Sequence, residues 1–324
     1  MYLNIFRLRP ITRNALRVVN QAIDRGGLFT LRTGFRAIPV VFHLPEHLKL
    51  NRLMNTPGLQ ALVREQPRLG YKYLGNYLAH GLSRQARLRI LFNHYEYLTR
   101  QVRSDFFTRL IGGIPLWQDC LGEDVVSIRL SFPSGIDFEG DLALAFELNG
   151  TAVYNISFVV APGPHVRSSQ AQVLFVSRIQ GTKNFESIRH CTKSCHDITP
   201  AALLVSALQG IAAALGIGML VGISNAERLY EGVTFDYDSF WTSFKAGKTA
   251  ENLFFLPLPL VKTPIELIKG KRREWTLRKR QYKDQICGAV QAYFEEHVLS
   301  PRPALSYVSY AKPELWPNAV LRTA

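Results

Sequence analysis

Long apolar runs, internal repeats and low-complexity tracts are missing from this 324-residue chain. The most apolar segment, 201–224, is long enough to be tested as a membrane span. Gln209 and four glycines interrupt it, and it divides into a helix followed by a strand, so no transmembrane helix is expected. Arg7, Arg9, Arg13 and Arg17 punctuate the N-terminus, so a secretory signal is not expected either. Cysteine is scarce: Cys120, Cys191, Cys195 and Cys287 are too few for a disulfide framework in a chain of this size. A reducing compartment fits best, and the expected location is cytoplasmic.

Acidic residues are the other shortage. There are 25 against 39 basic ones, a net charge of +14. From Met1 to Val40 seven arginines face one acid, Asp24, and from Lys269 to Lys283 eight basic residues face Glu274 alone. Those two stretches hold nearly all the excess. Such concentration suits an anionic membrane surface at the inner membrane, or merely a solvated face. No nucleic-acid module and no aromatic interleaving accompany the basic runs, so nucleic acid is not an expected partner.

What is present is an ordinary globular balance, 47% hydrophobic and 20% charged. Residues 1–120 read as a helical, basic N-terminal region. Ile11–Ile23 is amphipathic, and Arg84–Arg103 places Leu88, Leu91, Tyr95 and Leu98 at helical spacing behind a Ser83 cap. Residues 121–324 read as a mixed α/β domain with a basic C-terminal segment. Val126–Phe132 alternates with period two, and Leu142–Leu148 and Ala152–Val160 flank the hairpin signal Asn149-Gly150. Gln172–Ile179 follows as the next strand. A polar loop is expected from Gln180 to Thr199, then a helix opened by Thr199 and Pro200, then a strand over Met219–Ile223. The fold class is thus α/β (α+β): a mixed, largely antiparallel sheet with one crossover helix. Phe254–Pro259 reads as extended, and Ile286–Val298 as a closing helix.

Chemistry concentrates between Gln180 and Trp241. The helix start at Thr199 would suit a small anionic ligand, with Lys193 supplying charge and Gln180, Gly181 and Trp241 as further binding candidates. Cys191, Cys195 and His196 lack the second pair that a structural zinc site needs, so no metal is expected. Candidate bases are Glu139, His196, Asp236 and Asp238. Pairing of the three carboxylates with Arg or Lys is the alternative.

Several of these motifs also carry a resemblance. Gln180-Gly181 after a strand, Lys193, Pro200-Ala-Ala-Leu-Leu, Leu215-Gly216-Ile217, Gly222-Ile-Ser-Asn and Asp236-Tyr-Asp-Ser-Phe-Trp241 resemble the VirK/YbjX (DUF535) family of bacterial proteins. His94-Tyr95 and Lys271-Arg272-Arg273 match it too, so the likeness runs from about Arg84 to Tyr282. It implies a Gram-negative protein linked to virulence, envelope integrity and resistance to antimicrobial peptides. The order of elements also resembles the GNAT acyltransferase core. There the loop before the helix holds the acyl-CoA pyrophosphate, which implies acyl-CoA at Gln180-Gly181. Thr182, Lys183 and Asn184 stand where that pattern has a second glycine.

Overall fold

A computed structural model describes residues 43–133, 138–230 and 235–301. The basic stretch 1–40 and the amphipathic helix expected over Ile11–Ile23 lie outside the described residues. Eight strands form one sheet in the order β1-β2-β3-β4-β5-β6-β8-β7. They are β1 (Ile114–Leu121), β2 (Asp124–Ser131), β3 (Leu142–Leu148), β4 (Thr151–Pro162), β5 (Gln172–Gly181), β6 (Met219–Ile223), β7 (Gly247–Lys248) and β8 (Leu253–Pro257). Among the described strands only β5 and β6 run parallel; their other pairings are antiparallel. The expected class, a mainly antiparallel mixed sheet with one crossover, is what the chain forms.

Local chemistry explains the meander. Asn149 and Gly150 both adopt positive φ, as a tight hairpin joining right-twisted strands requires. Nearly every position of β3 and β4 is buried, so both faces of the sheet centre are covered. Helices α1 (Leu44–Met54), α2 (Gln60–Glu65), α3 (Arg84–Gln101) and α4 (Phe106–Gly112) precede β1. Ser83 caps α3 as expected, accepting from the Ala86 amide at 3.2 Å, and α3 packs on β4. The crossover consists of α5 (Phe185–Ser194) and α6 (Pro200–Leu215); α7 (Tyr237–Ser243) and α8 (Gly270–His297) follow.

Two readings need correction. The region expected to be a polar loop up to Thr199 is largely helix α5. Asn184 caps it, accepting from the Ser187 amide at 3.2 Å, and Ile188, Cys191 and Cys195 turn one face inward at helical spacing. The abundance of charged residues hid that stripe. The closing helix begins at Gly270 rather than Ile286, because the basic run is itself helical. Its C-terminal half packs against α6. Gly210 makes that approach close: a Cβ there would lie 2.4 Å from the Cys287 carbonyl oxygen.

The buried hydrophobic residues make one cluster, from Leu50 in α1 to Leu299 after α8. Among the described residues, no helix is long and apolar enough to cross a membrane.

Candidate functional site

The parallel pair β5–β6 is brief. Leu174, Phe175 and Val176 align with Leu220, Val221 and Gly222. Beyond that point β5 continues to Gly181 with no strand partner on its β6 side among the described residues, and the sheet forks. On the β4 side the register slips between Ser157 and Phe158, leaving Ser177 as an extra residue on β5. A bulge of this kind re-aims the side chains around it. Here it places Ser177, buried, against the segment that precedes β3: its hydroxyl donates to the Glu139 carbonyl.

Glu139 is brought to the fork by that segment. Its Oε2 lies 3.0 Å from Arg178 Nε, too poorly aligned for a hydrogen bond. The Arg178 Nε–H donates instead to Gln180 Oε1 at 2.9 Å. Burial raises the Glu139 pKa, and the nearby guanidinium offsets this only in part. The carboxyl is therefore poised to exchange a proton closer to neutrality than an exposed one.

Helix α7 closes the fork. Tyr237 Oη accepts from the Ile179 amide at 3.2 Å, occupying an N–H of β5 where the strand has lost its neighbour. Burial pushes the Tyr237 pKa up to about 12, and the Glu139 carboxylate adds to that rise; the phenol stays protonated at neutral pH. Trp241, fully buried, fills the base of the fork and donates from Nε1 to the Ile223 carbonyl at 3.1 Å. A Cβ on Gly222 would fall 2.1 Å from the indole, so the glycine is what admits the ring.

Behind Glu139, on the other side of Gly140, lies a second buried group. Lys72 Nζ reaches Asp141 at 2.6 Å and the Gly140 carbonyl at 3.2 Å. Tyr77 donates to the other Asp141 oxygen. Burial pushes the Asp141 pKa up, but Lys72, His94 and Tyr77 outweigh it and the net shift is downward. His94 accepts the Val160 amide on Nδ1 at 3.0 Å, which leaves the proton of the neutral ring on Nε2.

The expected residues therefore divide. Glu139, Gln180, Gly181 and Trp241 gather around the fork, linked through Arg178 and Tyr237. Asp236 and Asp238 flank it in structural roles. Asp236 caps α7, accepting from the Ser239 hydroxyl at 2.5 Å, from Asn225 Nδ2 at 2.8 Å and from the Ser239 amide at 3.1 Å, and these bonds hold its pKa down to about 2. Asp238 accepts from the Asn225 amide at 2.7 Å and from Lys248 at 2.6 Å. Lys193, His196 and Thr199 lie at the other end of α5, roughly 15 Å along its axis for ten residues. Lys193 is exposed, His196 packs edge-on against Tyr282 of α8, and Thr199 caps α6. Sequence reading passed over Arg178, Tyr237 and Lys72. A Ser-Arg pair inside the apolar run of β5 was the available signal for the first.

Fold and site together define a mixed α/β protein with a forked sheet and a buried Glu–Arg–Tyr group beside the fork. Residues 36–292 match the family described as a protein of unknown function (DUF535), and the chain belongs to that family. It is 26% identical over 253 residues, 73% of this chain and 75% of the relative, to the uncharacterized protein YbjX of Escherichia coli (strain K12). No solved structure matches.

Proposed function

We propose that the protein is an envelope-modifying acyltransferase that takes an acyl-CoA or related activated donor into the β5–β6 fork. The supporting observation is the fork itself, a strand edge unpaired among the described residues, beside a buried carboxyl of raised pKa and a protonated phenol. Past Val176, β5 offers backbone amides to an extended ligand, in the manner of an added strand. A pantetheine arm carries two amides that match such an edge. The phosphate end would run toward the start of α5, where Lys183 and Arg189 are exposed and the unpaired N–H groups of the first turn favour an anion. Glu139 would accept the proton of an attacking amine or hydroxyl, and Tyr237 would return one to the departing thiolate. Tyr237 must first release the Ile179 amide, so occupancy and activation are coupled.

Two resemblances add to this reading. The element order is like that of the GNAT core, a fold-level analogy, and the VirK/YbjX likeness points to the envelope as the place where the acceptor is found. Isothermal titration with CoA, acetyl-CoA and long-chain acyl-CoAs tests it. Binding that is lost on Arg178→Ala and kept in His196→Ala supports the fork; absence of heat across all donors ends the reading.

A further inference from the structure

The start of α8 stands apart from the core. No described side chain from 270 to 281 is buried, and the first that is belongs to Tyr282. Alongside it runs the segment 261–268, which side chains of α8 strap to the helix. Lys262 pairs with Asp284 at 2.6 Å, Arg280 donates to the Thr263 carbonyl, and Arg273 reaches the carbonyls of Glu266 and Ile268 at 3.5 Å. The strap therefore lies antiparallel to the helix over about three turns.

This unit leaves its apolar side chains in solvent. Val261 is 92% exposed and Leu267 74%, and Leu277 and Trp275 are also exposed. Four of the seven large exposed hydrophobic residues among the described ones thus fall within 17 positions. Around the helix, Leu277 shares a side with Lys269, Arg273 and Arg280, the same side that holds the strap. Trp275 lies about 200° away from Leu277 by helical rotation. It faces the α5–α6 turn, with its Nε1 3.4 Å from Asp197 and Lys279 stacked 3.4 Å over its ring. The exposed aliphatics are therefore those of the strap side: Val261, Leu267 and Leu277. From 261 to 281 the sequence carries eight basic residues and two acids.

We propose that the strap and the first turns of α8 form a docking surface for an anionic lipid bilayer. Aliphatic side chains standing out of a cationic surface are what an interfacial element needs. The cations are drawn to lipid phosphates, and the apolar tips enter the headgroup boundary. A nucleic-acid surface would stack aromatics among its arginines; here Trp275 turns to the α5–α6 turn beneath Lys279, and the side chains left in solvent on the strap side are valine and leucine. The proposal is independent of the fork chemistry, since none of these residues touches Glu139, Arg178 or Tyr237.

Co-sedimentation of the full chain with phosphatidylcholine vesicles, with and without phosphatidylglycerol, tests it. The chain should bind the anionic vesicles and leave the neutral ones. Val261→Ser with Leu267→Ser removes the apolar tips without changing charge, and Lys269→Gln with Arg278→Gln removes charge without touching the strap contacts. Each double variant should weaken binding by roughly tenfold or more, with an unchanged circular dichroism spectrum showing that these exposed positions do not affect folding. Undiminished binding of the V261S/L267S variant, or duplex DNA displacing the anionic vesicles, would overturn the proposal.

Discussion

His47 and His94 are fully buried, and burial lowers both pKa values to about 4. In the unfolded chain a histidine takes its proton near pH 6.5. Between those values the unfolded state binds more protons, so stability falls as pH drops from 6.5 toward 4. The expected slope is on the order of 1 kcal/mol per pH unit for each histidine. Urea unfolding across that range checks it, and His94→Gln should flatten the slope by about half. The Lys72–Asp141 pair makes a sharper expectation. Lys72→Met strands a buried carboxylate and should cost about 3–5 kcal/mol. Lys72→Met combined with Asp141→Leu should cost much less, because the stranded charge is then gone. A double variant no more stable than the single one would show that the pair is not the source. The pairing was not legible in sequence: Lys72 is a single cation among Leu69, Tyr71, Tyr73 and Leu74, and its partner is 69 residues away.

Elements were legible in proportion to how local their causes are. Strands β2 to β6, helix α3 and helix α6 follow from period, cap and turn residues, and the Asn149-Gly150 hairpin from backbone conformation alone. Helix α5 was hidden because its apolar stripe is only Ile188, Cys191 and Cys195 amid charges. Strand β1 was hidden because Pro115, Gln118 and Asp119 break its alternation. The fork was beyond reach, since it depends on where β6 stops pairing and on what α7 inserts. Gln180, Gly181, Glu139 and Trp241 were recognised singly, while Arg178 and Tyr237, which join them, were not. One packing contact of this scale can be tested directly. Gly210→Ala pushes a methyl against the Cys287 carbonyl and should cost about 1–3 kcal/mol by forcing α6 and α8 apart. A melting temperature equal to that of the parent chain would show that the two helices yield without strain.

Across the whole molecule, helices before β1 and strands after it share one core, from Leu50 to Leu299. Heat should therefore unfold the described body in one cooperative transition, with far- and near-ultraviolet circular dichroism giving the same midpoint. Two separated midpoints would instead mark an independent N-terminal unit. Charge is distributed on a different plan, concentrated at 269–283 and in the stretch 1–40 that lies outside the described residues. Bulk composition pointed to surfaces, and the fork carries almost none of that excess.

The closing of the fork by Trp241 has an optical consequence. An indole with no solvent exposure, hydrogen-bonded only to a backbone carbonyl, emits toward the blue. Trp275 is about half exposed and Trp117 partly so, and their emission lies further red. Any ligand that moves α7 to reach the Ile179 amide changes the polarity around Trp241, so the protein carries its own fluorophore at the one place where occupancy should register.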